Sequence, residues 1–317
     1  GMYRPLYRLP GVERLIGETA PGDKALAHMF HIQWHGPQQE LRIRPRIPRI
    51  TASDDRVSCK VREMYEESPY PPWQTVAQHV ARPFGQVTGR MFPGVSPPGV
   101  RDGIPRVLVA GCGTGRQAIM SASRFTDSRV LAVDLSLSSL AYAQRKAHEL
   151  GIENIEFVQA DILQLTTLPD RYHVIESVGV LHHMDDPRQG LDALCGLLHK
   201  GGFLSIGLYS ELARRDIAGL QASLRQDGLE GTRDDIRRAR QLILASDTEA
   251  CRRVARLADF YSISGCRDLL FQVQEKCYRL SGIASLLEQA GLRFLGFGWI
   301  DQRPRIATGN CIPTIPA

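Results

Sequence analysis

No stretch of the 317 residues approaches the roughly 18 uninterrupted apolar residues that a membrane-spanning helix requires, so a bilayer-crossing segment is not expected. No charged-then-apolar leader precedes a small-residue cleavage site, and Gly1 reads as a tag remnant and is set aside. The cysteines, Cys59, Cys112, Cys195, Cys251, Cys266, Cys277 and Cys311, make no C-x-x-C pair and no metal-ligand spacing. An odd, scattered set fits reduced thiols in a cytoplasmic protein and gives no reason to expect a metal. Lysine is scarce: Lys24, Lys60, Lys146, Lys200 and Lys276 are the only ones among 39 basic residues, the rest being arginine. With a net charge of only +5 and no strong basic cluster, nucleic acid is not an expected partner. Internal repeats and low-complexity runs are absent. What remains, 43% hydrophobic and 23% charged residues, is ordinary globular composition, and the length predicts one large domain or a domain with sizeable additions.

Residues 21–80 read as mostly helical, broken by a Pro- and Arg-rich stretch at 41–50 whose alternation predicts an edge strand with Arg42, Arg44 and Arg46 on one face. Gly and Pro are dense over 83–105, which predicts a loop or linker and a boundary near residue 100. Beyond it, β-branched runs alternate with helical stretches in the manner of successive βα units. Strands are expected at Arg106–Ala110, Arg129–Asp134, Ile155–Gln159 and Tyr172–Val178, then at 202–208. A helix over 136–150 has Leu137, Leu140, Ala141 and Ala147 on its apolar face, Ser136 as its N-cap and Gly151 as its stop. Such alternation predicts a parallel sheet covered on both faces. Residues 211–280 are polar, Arg-rich and helical in rhythm and read as an insertion, after which a helix at 283–290 and a strand at 292–299 resume the pattern.

Chemistry concentrates at the carboxyl ends of these strands. Gly111-Cys112-Gly113-Thr114-Gly115 follows the first strand directly and opens a helix near Gln117. Glycines let such a turn approach a ligand closely, and the helix start offers unpaired N–H groups. Arg116 stands where the dinucleotide fingerprint needs its third glycine, and no Gly-Lys-Ser/Thr follows, which disfavours pyrophosphate and Walker-type binding. Asp134 ends the second strand at the spacing where a carboxylate accepts hydrogen bonds from both ribose hydroxyls, about 20 residues past the turn. Asp161 follows the third strand, placed to accept a hydrogen bond from an exocyclic adenine amine. Each aspartate alone reads equally well as a helix cap, but together with the turn they outline an adenosine-shaped site. Glu176 and Ser177, polar in an otherwise apolar strand, are expected to face that site.

These motifs resemble those of the class I S-adenosylmethionine-dependent methyltransferases, over roughly residues 104–210 and 283–299. Val-Leu-Val-Ala-Gly-Cys-Gly-Thr-Gly at 107–115 is similar to that family's first motif, Ala-Val-Asp-Leu-Ser at 132–136 to its second, and Val-Gln-Ala-Asp-Ile at 158–162 to its third. Residues 174–183, with Leu181-His182-His183, resemble its fourth. The resemblance implies a Rossmann-like, seven-stranded, mostly parallel sheet with helices on both faces, an N-terminal helical segment and a helical insertion after strand 5. The implied division is an N-terminal helical lid extension (1–100), a cofactor-binding core (101–210), a lid or acceptor wall (211–282) and a closing helix and strand (283–317). The implied cofactor is S-adenosylmethionine, released as S-adenosylhomocysteine, with no metal. Its contacts would be Gly111, Cys112, Gly113, Gly115, Gln117, Asp134, Leu135, Ser136, Asp161, Ile162, Ser177 and Val178, with Tyr65 and Tyr70 folded over it.

The family usually has an acid two positions before the first glycine, and here that position is Val109, which leaves Gln117 or the N-terminal segment to anchor the methionine amino group. The run 62–73, ending Ser-Pro-Tyr-Pro-Pro-Trp, resembles a motif of a bacterial subgroup often fused to tetratricopeptide repeats, in which the acid is also missing. Tyr65, Tyr70 and Trp73 read either as cofactor cover or as a hydrophobic staple. His182 and His183 are the available general bases for a hydroxyl acceptor, against the plainer reading that they pack or bond the backbone. Tyr209 and Tyr261 are further acceptor-pocket candidates. The expected activity is methyl transfer to an unidentified acceptor, a small molecule in preference to a protein. A non-catalytic regulatory or scaffold module that binds the same cofactor is the alternative, and a nicotinamide-dependent oxidoreductase is opposed by Arg116.

Overall fold

Four strands form at the bounds their β-branched runs predict, β1 (Arg106–Ala110), β2 (Arg129–Asp134), β3 (Ile155–Gln159) and β4 (Tyr172–Val178), and β5 (Leu198–Gly207) follows. The computed structural model describes residues 6–17, 23–50, 55–71, 73–77, 80–100 and 103–297. All neighbouring pairs in the main sheet are parallel, in the order β3-β2-β1-β4-β5. The order reverses between β1 and β4, the switch point outside whose carboxyl ends ligands bind in open α/β sheets.

Before the sheet come α1 (Val12–Gly17), α2 (Lys24–Phe30), α3 (Gly36–Ile43), α4 (Arg56–Glu67) and α5 (Phe84–Met91). Between its strands lie α6 (Arg116–Ala122), α7 (Leu137–Glu149) and α8 (Pro187–Leu197). Then follow α9 (Glu211–Gln226), α10 (Arg233–Ala245), α11 (Glu249–Val254), α12 (Ile263–Leu270) and α13 (Leu280–Gln289), with the two-residue strands β6 (Tyr209–Ser210) and β7 (Cys277–Tyr278) paired on each other. The α7 boundaries have a direct cause: the Ser136 hydroxyl accepts the Ser139 amide at 3.1 Å, and Gly151 follows the last turn at φ +66°.

Period-two alternation divides the sheet residues between two cores. On one face Val107, Val109 and Val174 meet Ala118, Ile119, Leu140 and Ala143 of α6 and α7, and Trp73, Phe84 and Val87 of the N-terminal segment pack into the same cluster. Leu108, Ala110, Val133 and Ile175 on the other face meet Leu181, Leu191 and Leu194. The helices after β5 enclose a third cluster around Ile236, Ala239, Phe260 and Cys266.

Three expectations are corrected. Among the described residues the main sheet has five strands, not the seven expected: residues 292–297 join no strand, Phe294 and Phe297 are exposed there, and the end of the expected strand, including Trp299, lies outside the described residues. Residues 41–50 are not an edge strand. Their first half completes α3 and a 3-10 turn at Arg44–Arg46, whose Arg44 pairs with Glu66 at 2.6 Å, and only Arg49 forms a bridge, to Gln159 at the end of β3. The Gly-rich stretch after Pro83 holds α5, because Phe84, Val87 and Thr88 fall on one helical face and are buried there, whereas Gly85 and Gly89 face open space.

Phe260 is fully buried in the third cluster, so Phe260→Ala should lower unfolding free energy by about 3–5 kcal/mol, read from the urea midpoint at unchanged slope.

Candidate functional site

At the switch point the glycine turn is held from three sides. The Gly111 and Cys112 amides both donate to the Val133 carbonyl of β2, at 2.8 and 2.9 Å. The Gly113 amide donates to Asp134 Oδ2 at 2.8 Å, and Asp134 Oδ1 accepts the Ser136 amide at 2.9 Å. From the third side, Pro71 and Trp73 meet the turn: the Thr114 hydroxyl donates to the Pro71 carbonyl, and the Trp73 indole donates to the Thr114 carbonyl at 3.0 Å. Tyr142 of α7 in turn donates to the Trp73 carbonyl.

Glycine is needed here for packing as much as for a ligand. A side chain at Gly111 would overlap Val180 in the loop after β4, one at Gly113 would sit 2.8 Å from the Tyr70 carbonyl, and one at Gly115 would overlap Ala143. Gly115 also begins α6 in the left-handed region, at φ +84°.

Asp134 carries the electrostatics of this edge. Burial raises its pKa to about 6, opposed by the amides of Ser136 and Gly113 and reinforced by Glu66. The Gly113 and Ser136 amides each bond one oxygen and the Leu135 amide adds to them, and the carboxylate keeps acceptor capacity for a hydroxyl donor. The cap reading of Asp134 therefore holds in part, since it braces Ser136, while Ser136 itself caps α7. Sequence reasoning missed Glu66 of α4, which accepts the Leu137 amide at 2.6 Å and the Ser138 hydroxyl at 2.7 Å at the start of α7. No local pattern announces a cap supplied from 71 residues away.

The remaining cofactor candidates lie around this edge. Cys112 is buried, and burial pushes its thiol well above the usual range. The Leu135 carbonyl accepts Gln159 Nε2 at 2.7 Å. Asp161 Oδ1 accepts the Leu163 amide at 3.0 Å, capping the 3-10 turn that begins at the buried Ile162. Val178 pairs with Gly207 at the end of β4. Ser177 is fully buried and its hydroxyl has no hydrogen-bond partner among the described residues.

Glu176 departs from expectation, because adjacent strand residues point to opposite faces and Glu176 and Ser177 cannot both face one site. Glu176 points to the α6 face, where its carboxylate accepts from Arg124 at 2.6 Å, Gln117 at 2.8 Å and Ser121 at 2.5 Å.

A second polar group joins the loops after β4 and β5 to the helices beyond them. His183 Nδ1 lies 2.8 Å from the Gln274 carbonyl, which sets Nδ1 as the protonated nitrogen and leaves Nε2 facing Gln272 Nε2 at 3.5 Å. Tyr65 donates to Asp268 Oδ1 at 2.6 Å and accepts from Gln272 Nε2 at 2.6 Å, so its hydroxyl is engaged by α12 and by the second residue beyond it. Burial raises the pKa of both Tyr65 and Asp268. Burial also raises that of Tyr70, whose phenol bonds Asp259. His182 packs against Tyr209 and His183 with ring centroids 3.9 and 4.1 Å away, and its ring lies against the Gly207 backbone. Burial, then the neighbouring His183, lowers its pKa to about 3. Arg214 lies 4.0 Å above the Tyr209 ring, whereas Tyr261 is exposed and packs on Phe260. Among the described residues no three His, Cys, Asp or Glu side chains are grouped to hold a metal ion, and no helix is long and apolar enough to cross a membrane.

Fold and site together define a Rossmann-like domain with a candidate ligand edge at its switch point. Residues 107–202 match a family model described as a methyltransferase domain. An uncharacterized protein of Synechococcus sp. is 30% identical over 281 residues, spanning 82% of this chain and 64% of that protein. A Geobacillus sp. protein named as a methyltransferase is 29% identical over 151 residues, 47% of this chain and 54% of its own. The chain thus spans just over half to under two thirds of the length of these relatives. Among solved structures, PKMT2 from Rickettsia typhi in complex with AdoHcy superposes with a TM-score of 0.56 at 21% identity, over 72% of this chain and 46% of that one, a likeness of fold.

Gly115→Ala should destabilise the protein by more than about 1 kcal/mol, since the backbone is left-handed there and the added methyl meets Ala143; the thermal midpoint reads the loss.

Proposed function

We propose that the protein transfers the methyl group of S-adenosylmethionine to an acceptor, a small molecule in preference to a protein. One observation carries the reading: Asp134, at the end of β2, bonds the Gly113 amide of the glycine turn and keeps acceptor capacity for a further donor, which suits a ribose hydroxyl. The buried, unpartnered Ser177 hydroxyl at the end of β4 is a second group that a ligand would satisfy. Gly111, Cys112, Gly113, Gly115 and Gln117 would border the amino-acid end of the cofactor, Asp134, Leu135 and Ser136 the ribose, and Asp161, Ile162, Ser177 and Val178 the adenine side. Residues 1–100 and 211–282 would form the cover and the acceptor wall, with Tyr65 and Tyr70 between them, and 283–317 would close the core.

When bound, the cofactor supplies an electrophilic methyl on a sulfonium, so the protein's task is to hold an acceptor atom in line and exclude water. His183 is the better placed of the two candidate bases, its ring fixed by the Gln274 carbonyl. His182, with a pKa near 3, is too weak a base for efficient proton transfer at neutral pH and suits shaping the acceptor wall. The low basicity of His182 is also what favours the second reading, a module that binds the cofactor without turnover. We place the protein in the cytoplasm, as an odd, scattered set of cysteines with no paired spacing suits a reducing compartment, and we propose kinship with the subgroup that carries tetratricopeptide repeats.

Calorimetric titration with S-adenosylmethionine and S-adenosylhomocysteine, with NAD and NADP as controls, tests this directly: binding of the first pair alone is expected, and binding of neither overturns it. Labelled-methyl transfer to candidate acceptors then separates an enzyme from a binding module. Affinity should fall as pH drops through about 6, because a protonated Asp134 loses the charge that attracts the ribose hydroxyls. Asp134→Asn should bind about tenfold more weakly at pH 7.5 and lose that pH dependence.

A further inference from the structure

We propose that Glu176 of β4, the register partner of Val109, acts through Gln117, whose side-chain carbonyl accepts the α-ammonium group of the cofactor's amino-acid end. This rests on the cofactor reading above. Val109 and Glu176 are register partners in adjacent parallel strands, so their side chains leave the sheet at the same level and on the same face, toward α6. A carboxylate is therefore supplied to that place by the neighbouring strand.

It does not reach a ligand itself. Glu176 has no exposed surface, and Arg124, Ser121 and Gln117 of α6 and the turn after it converge on its two oxygens. The Arg124 guanidinium, buried with it, balances the charge. The contact that matters is the outermost one. A carboxylate only accepts, so at 2.8 Å it orients the Gln117 amide with its NH2 inward. The amide oxygen is thereby turned the other way, and Gln117 Oε1 has no hydrogen bond among the described residues. Gln117 is the second residue of α6, directly beyond the glycine turn, and is partly exposed. Glu176 is then a positioning residue: it fixes which end of the Gln117 amide a ligand meets, and an ammonium needs the acceptor end.

The test compares S-adenosylhomocysteine with its deaminated analogue, which keeps the carboxylate and lacks the amine, by calorimetry. Gln117→Ala should weaken S-adenosylhomocysteine about tenfold and leave the analogue within about twofold. Glu176→Gln, checked for a cooperative thermal transition, should show the same selectivity at about threefold, because a glutamine there no longer dictates the amide's orientation. Equal losses for both ligands, or none for Gln117→Ala, would overturn the inference while leaving cofactor binding standing. Wild-type protein that binds neither ligand would remove both readings together.

Discussion

The hydrogen bond from the Gly113 amide to Asp134 joins the turn after β1 to the end of β2, and the arrangement of the sheet's carboxyl edge depends on it. With that turn fixed, Thr114 can hold Pro71 and Trp73, and Ser136 can start α7 at a set distance from the turn. Desolvation opposes the arrangement, since the same burial that aligns Asp134 raises its pKa toward neutrality. A carboxylate held in this way, braced by amides and with no cation among the groups that set its pKa, suits an uncharged donor such as a hydroxyl better than a cationic one.

Polar groups on β4 follow the pleat. Glu176 is sent to the α6 face, where donors meet it, and Ser177 to the opposite face, where none does. A strand at the switch point is thus satisfied on its structural side and unsatisfied on the other, the pattern left when one face is completed by the protein and the other awaits something else.

Much of this was legible in the sequence, because local rules set it. Four strands appeared as β-branched runs with correct bounds, and the start of α7 as a serine followed by an apolar helical stripe. The glycine turn and Asp134 were readable together because a strand, a tight turn and a second strand fix their spacing. Groups assembled across the chain were not: Glu66 caps α7 from the N-terminal segment, and Tyr65 meets Asp268 across 203 residues. Local pattern also misled where packing overrode it. At Pro83 a glycine-rich stretch became α5 because its few apolar residues share one face, and the alternation at 41–50 was taken over by α3 and the Arg44–Glu66 pair.

The long reach of Tyr65 sets an order on the protein's synthesis. Its partners Asp268 and Gln272 are made more than 200 residues later, whereas the Glu66 contacts of α4 reach the start of α7 only 71 residues on, so the chain holds the means to dock α4 before α12 exists. The two covers of the sheet are thus tied by one phenol, and the Tyr65 hydroxyl gains its partners only once α12 and Gln272 have been made.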